Sequence, residues 1–169
     1  MTIGELNTAD PDAFVNAVGF AFEHSPWIAR AAWNSRPFAG IDALHATMCH
    51  IVRDAPEERQ VALIAAHPDL AGRVAREGRL TAASAGEQAA AGLDRLTPAE
   101  ILRFERLNGA YRERFGFPFV ICARKQTKQS ILAALERRIE NDRDTEIAAA
   151  IAEICEIARL RLADAVKTE

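Results

Sequence analysis

At 169 residues with 49% hydrophobic composition, the chain is long enough to bury one sizeable core and gives no sign of a second domain. A formal net charge of −3 and a pI near 5.9 argue against non-specific nucleic-acid binding, which needs a net basic face, and leave room for a local basic pocket. Three cysteines, Cys49, Cys122 and Cys155, stand far apart without C-x-x-C spacing, so neither a disulfide framework nor a zinc ribbon is suggested.

A reducing cytoplasm fits those thiols. The opening MTIGELNTAD lacks the basic and apolar regions of a signal peptide, and no apolar run approaches the roughly 18 residues of a membrane span. A soluble, cytoplasmic protein with no membrane or nucleic-acid partner is expected. Asp10 as N-cap and Pro11 at the first helical position open a helix over 11–23, in which Phe14, Val18 and Phe22 recur at i, i+4, i+8. Ser25 and Pro26 break it. Trp27, Trp33 and Phe38 supply aromatic bulk for packing around Arg36 and Pro37. A helix over 41–52 turns Leu44, Met48, Ile51 and Val52 inward and carries His45 and Cys49 on one face, with His50 beside them. Two ligands do not make a metal site, so these are expected at the edge of the core.

Pro56 starts the next helix. Pro68 disfavours helical conformation for the residue before it, so the apolar pattern Val61, Leu63, Ile64 should stop at His67. Unpaired carbonyls at a helix end favour a protonated imidazole, the form that serves a general acid; a plain cap or turn is the other reading of His-Pro. Arg73, Arg76 and Arg79 flank the connection that follows, either as surface charges or as a basic loop that attracts an anion. Ser84, Ala85, Gly86 and Glu87 match the capping box S-x-x-E and predict a helix from Glu87 to about 96. Its N-terminus is either an ordinary cap or a set of backbone donors for a carboxylate-bearing ligand.

Thr97, Pro98, Ala99 and Glu100 form a second capping box, opening a helix with Ile101, Phe104, Leu107, Tyr111 and Phe115 inward and Gly116 at its end. Residues 117–123 are the one strand-like run. With no second strand to pair with, an extended connection is expected, and its buried backbone groups need partners that a ligand with amide-like edges can supply. A helix from about Ser130 to Asn141 turns Ile131, Leu135 and Ile139 inward. The last, capped by Asp144, runs to about Val166 with the stripe Ile147, Ile151, Ile154, Ala158 and Leu162; Ile157 and Leu160 fall outside it, so more than one side should be covered. Arg161 lies in apolar company and must snorkel outward or meet an anion, snorkelling being the commoner outcome. The sum is all-α, a single compact domain over 1–169 with seven or eight helices and one extended connection near 117–123.

Five strings in order, FEHSPWIARAAWNSRPF at 22–38, AAHPDLAGR at 65–73, LTAASAGEQAAAGL at 80–93, RFGFPFVICARKQTKQSIL at 114–132 and IARLRL at 157–162, carry a resemblance. The chain resembles the 2-oxo-4-hydroxy-4-carboxy-5-ureidoimidazoline (OHCU) decarboxylase family of urate breakdown along almost its whole length. What the resemblance implies is an all-helical, homodimeric, cofactor-free and metal-free carboxy-lyase that converts OHCU to (S)-allantoin and carbon dioxide, beside a separate hydroxyisourate hydrolase. It makes His67 the proton donor and Pro68 a neighbouring substrate contact, and it places Ser84, Ala85, Gly86, Glu87 and Gln88 around the ureido and ring groups. Phe119, Val120, Ile121, Cys122 and Ala123 become the main-chain wall of the pocket and Arg161 the essential arginine; Glu87 is then expected to orient the imidazole or the substrate hydroxyl. Two rival readings are a non-catalytic helical interaction module and a metal protein centred on His45, Cys49 and His50.

Overall fold

The computed structural model describes residues 1–72 and 77–167. Arg73 and Arg76 lie outside the described residues. Among the described residues there are nine α-helices and no strand, the nearest thing to one being an isolated bridge between Thr2 and Lys167. No described helix is long and apolar enough to cross a membrane. The chain forms two compact units, Met1–Ala66 with Ile154–Glu169, and His67–Glu153.

The first unit holds α1 (Ile3–Thr8), α2 (Pro11–Val18), α3 (Trp27–Ala32), α4 (Ile41–Asp54), α5 (Glu57–Ala65) and the end of α9 (Arg143–Ala165). The Asp10 carboxylate accepts from the N–H groups of Asp12 and Ala13, and Pro11 takes the position where a missing N–H costs nothing. α2 stops at Val18 rather than 23, and Gly19–Ala21 tightens into a 3-10 turn. Gly19 is a poor helix residue, yet Phe22 beyond it is fully buried. Leu6, Phe14, Phe22, Ile28, Leu44 and Met48 make the core of this unit. Asn7 locks the loop to α1, its amide donating to the Phe38 carbonyl at 2.9 Å and accepting the Phe38 N–H at 2.8 Å. Trp33 is half-buried, and its indole N–H finds a partner in the Ala9 carbonyl at 3.0 Å.

The second unit holds α6 (Ala82–Ala90), α7 (Pro98–Phe115), α8 (Lys128–Arg138) and the start of α9. Both cap residues of α7 behave as the sequence says, Thr97 in a reciprocal box with Glu100 and Gly116 in the left-handed conformation at φ +80. Three starts differ. Thr81, not Ser84, caps α6, accepting from the Ser84 N–H, so the helix begins at Ala82 and ends at Ala90. Thr127 caps α8 in a box with Ser130, and Asp142 rather than Asp144 accepts the Thr145 N–H at the head of α9. In each case a good cap stands a few residues earlier, and the intervening residues tolerate helix.

A buried polar network fills the middle of this unit. Glu146, with no exposed surface, pairs with the Arg138 guanidinium at 2.9 Å and accepts from the Asn141 amide at 2.9 Å and from the Tyr111 hydroxyl. The Tyr111 ring packs against Phe115, Phe117 and Phe119. Burial, then the hydrogen bond and charge of Glu146, hold its phenol protonated well above the ordinary tyrosine range. The folded state therefore keeps a proton that the unfolded chain loses above about pH 10, so this contribution to stability is intact below that pH and declines above it. Tyr111 is the chain's single tyrosine. In an alkaline titration the ultraviolet tyrosinate band should appear only as helical circular dichroism is lost; a band rising while the helices persist contradicts the network.

Candidate active site

His67 follows directly on the C-cap of α5, Ala66, as Pro68 requires. It is 6% exposed, so it does not face bulk water. Three side chains hold the segment it begins. Asn108 donates to the Leu70 carbonyl at 2.9 Å, Arg112 Nε reaches both Asp69 carboxylate oxygens at 3.0 and 3.2 Å, and Gln88 accepts the Ala71 N–H at 3.0 Å. Ala71 needs that grip, since its φ of +54 is a conformation a side chain disfavours.

Capping α6 at Thr81 changes what 84–88 does. Ser84 and Gln88 fall one turn apart on the buried face, with Ala91 next, while Ala85 and Gly86 are exposed and Glu87 half-buried. Ser84 and Glu87 are thus helix-interior residues and not a capping box. Accepting from Ala71 fixes which end of the Gln88 amide is oxygen; its nitrogen is also out of water and has no hydrogen-bond partner among the described residues. An unspent buried donor of this kind is costly unless something uses it. Gln88→Leu should cost about 1–3 kcal/mol by withdrawing the acceptor from the Ala71 N–H. Urea unfolding checks this; an unchanged midpoint refutes it.

Residues 119–122 are neither helix nor strand, Ala123 opens a 3-10 turn, and all five are buried, Phe119 2%, Val120 3%, Ile121 6%, Cys122 2% and Ala123 4% exposed. The protein itself supplies two of the backbone partners they need. Arg138 Nη1 donates to the Val120 carbonyl at 2.9 Å, and Glu153 accepts the Cys122 N–H at 2.8 Å. The segment then turns through the short 3-10 stretch Ala123–Lys125, against which α6 packs. Within the second unit, the segment that His67 begins is thus tied to α6 through Ala71 and Gln88, and α6 packs on the 3-10 turn that follows residues 119–122. Sequence reasoning missed Asn108, Arg112, Arg138 and Glu153 as the residues that hold these pieces. A cavity of about 340 Å³ on the same helix takes in Ala85 and Gln88 but not His67, Glu87 or 119–123. Its wall of Leu80, Leu93 and Ile101 with Asp94 suits no anion, so the buried polar groups are the better guide to the site.

Arg161 lies in the first unit and does not snorkel. It is 4% exposed and pairs with the equally buried Glu23 at 2.7 Å, with the Phe20 carbonyl at 3.3 Å. The anion it meets is thus a side chain 138 residues earlier. The suggested metal trio is split: His45 Nε2 lies 2.8 Å from the Cys155 carbonyl, whereas His50 is exposed and pairs with Asp54 at 3.0 Å. No group of three His, Cys, Asp or Glu among the described residues is placed to hold a metal ion.

Comparison with known proteins adds an independent line. A family model described as OHCU decarboxylase matches residues 7–163. The chain is 44% identical over 169 residues to a 2-oxo-4-hydroxy-4-carboxy-5-ureidoimidazoline decarboxylase of Haloferax volcanii, covering 100% of this chain and 98% of that one. It is 41% identical over 165 residues to the uric acid degradation bifunctional protein PucL of Bacillus subtilis, covering 98% of this chain and 33% of that longer one. Among solved structures, that of an (S)-allantoin synthase superposes with a TM-score of 0.79 at 30% identity, over 99% of this chain and 55% of that one. A match along nearly the whole sequence, on an all-helical fold shared with a solved relative, leaves one assignment: the chain belongs to the OHCU decarboxylase family, carboxy-lyases of urate degradation.

Proposed function

We propose that the chain decarboxylates OHCU to (S)-allantoin and carbon dioxide, with His67 as general acid and without a metal or organic cofactor. The observation that carries this is the buried amide nitrogen of Gln88, which has no hydrogen-bond partner among the described residues and belongs to the side chain that grips the His67 segment. A substrate rich in ureido and ring carbonyls supplies the acceptor which that donor lacks. The names of the Haloferax decarboxylase and of the (S)-allantoin synthase support the substrate and the product.

Loss of carbon dioxide leaves an electron pair on carbon, and the adjacent C=N of the substrate ring accepts it. No external electron sink is needed. A proton must then be delivered to one face, and that is the role given to His67. Glu87 orients the imidazole or the substrate hydroxyl, Pro68, Ser84, Ala85 and Gly86 complete the contacts around the ring, and residues 119–123 form the wall. Arg161 offsets negative charge during the reaction by the resemblance alone; its pairing with Glu23 fixes the guanidinium while spending part of that charge.

The test is to generate the unstable substrate in situ from urate, add the protein, and follow the optical activity of the product by circular dichroism. Faster, single-handed product is expected. Product that appears no faster than without the protein, and racemic, leaves a non-catalytic helical module instead. The chain is further proposed to act in the cytoplasm as one catalytic domain, as a homodimer, next in sequence to a hydroxyisourate hydrolase. That the PucL relative carries this region within a bifunctional uric acid degradation protein supports the pathway. Sedimentation should give twice the 18.5 kDa of one chain.

A further inference from the structure

Cys49 and Cys155 are 106 residues apart in sequence, yet the first unit brings them together on α4 and α9. His45 ties the two. Its Nε2 lies 2.8 Å from the Cys155 carbonyl and 3.1 Å from the Cys49 sulfur, which sets the two cysteines side by side, near enough for each thiol to act on the other's ionisation. A ring N–H pointing at that carbonyl satisfies both contacts at once, since it donates to the oxygen and lies against the sulfur. Cys49 is then free to turn its S–H toward the Cys155 sulfur. Both side chains are buried, 2% and 4% exposed, so bulky oxidants are kept out and only a small one is a candidate. Nothing in the decarboxylation mechanism uses any of the three residues.

We infer that Cys49 and Cys155 are a latent disulfide, a modification site at which hydrogen peroxide cross-links α4 to α9. Cys155 is the sulfur that gives up its proton first. Accepting the Cys49 S–H lowers its pKa, and Arg53 acts in the same direction against burial and Glu156, whereas Cys49, as donor and as a buried group, is pushed up. The Cys155 thiolate attacks one peroxide oxygen; an S–O bond forms, the O–O bond breaks, and the departing hydroxide takes a proton to become water. Sulfur has lost two electrons and peroxide has gained them. Cys49 then attacks the sulfenic sulfur, the S–S bond forms, the S–O bond breaks, and the leaving hydroxide takes the Cys49 proton as a second water. Two thiols and one peroxide have become one disulfide and two waters.

The experiment treats the reduced, intact protein with hydrogen peroxide, unfolds it in an alkylating agent and counts blocked thiols by mass. The three free thiols should fall to one, with the loss of two hydrogen atoms, a single 49–155 linkage in the peptide map, and recovery by dithiothreitol. Cys122→Ser should form the same linkage, while Cys49→Ser should instead leave Cys155 as sulfenic or sulfinic acid. Three thiols surviving, a linkage through Cys122, or sulfinic acid at Cys155 in the unaltered protein with Cys49 still reduced overturns the inference.

Discussion

Replacing His67 by Asn is expected to lower kcat/KM for the decarboxylation by about 10²–10⁴-fold, equivalent to roughly 3–5 kcal/mol of lost transition-state stabilisation. The handedness of the product should be lost with the rate. Asn keeps the approximate size and a hydrogen-bonding edge at a position that is 6% exposed, but an amide has no proton to give near neutral pH. The segment it sits on is held by Asn108, Arg112 and Gln88, all of which the substitution leaves in place, so helical circular dichroism and the melting temperature should stay near wild type. A well-folded mutant making (S)-allantoin at the wild-type rate removes His67 from the chemistry.

That segment also marks how far the sequence could be read. Local rules carry the stop before His67, the Gly116 cap and the helix-free run 117–122, because each depends on neighbours within a turn. α6 was misplaced by the same kind of rule: Ser84 and Glu87 satisfy the capping-box pattern, but Thr81 and two alanines in front of them make an earlier start just as good. Pairings across long stretches of chain could not be read at all. Nothing near Arg161 announces Glu23, and nothing near Ala71 announces Gln88. One signal was present and passed over. Arg138 follows Ile131 and Leu135 at i, i+4, i+7, which puts a cation on a buried face by the argument used for Arg161, while Ile139, expected inward, is only half-buried.

Glu146→Ala is expected to destabilise the protein by about 3–5 kcal/mol, the usual cost of leaving a buried partner charge uncompensated. For a chain of this length the melting temperature should fall by roughly 6–20 °C. The reason is Arg138, 7% exposed, whose guanidinium would lose every carboxylate oxygen it now bonds while staying over the Phe119 ring at 4.5 Å. Tyr111 would lose its acceptor in the same step. Glu146→Gln should do less harm, keeping one oxygen for Arg138 or Tyr111, and a paired Arg138→Met with Glu146→Leu should recover much of the loss, because removing both charges leaves nothing buried and unpaired. The two repairs separate stability from function. Arg138 also anchors the Val120 carbonyl, so the apolar pair restores the melting temperature without restoring the wall, and its kcat/KM should remain below wild type. Thermal unfolding and kinetics on the same samples decide it: a double variant recovering both means the 119–123 backbone needs no anchor, and a Glu146→Ala protein melting within about 2 °C of wild type means the network contributes almost nothing.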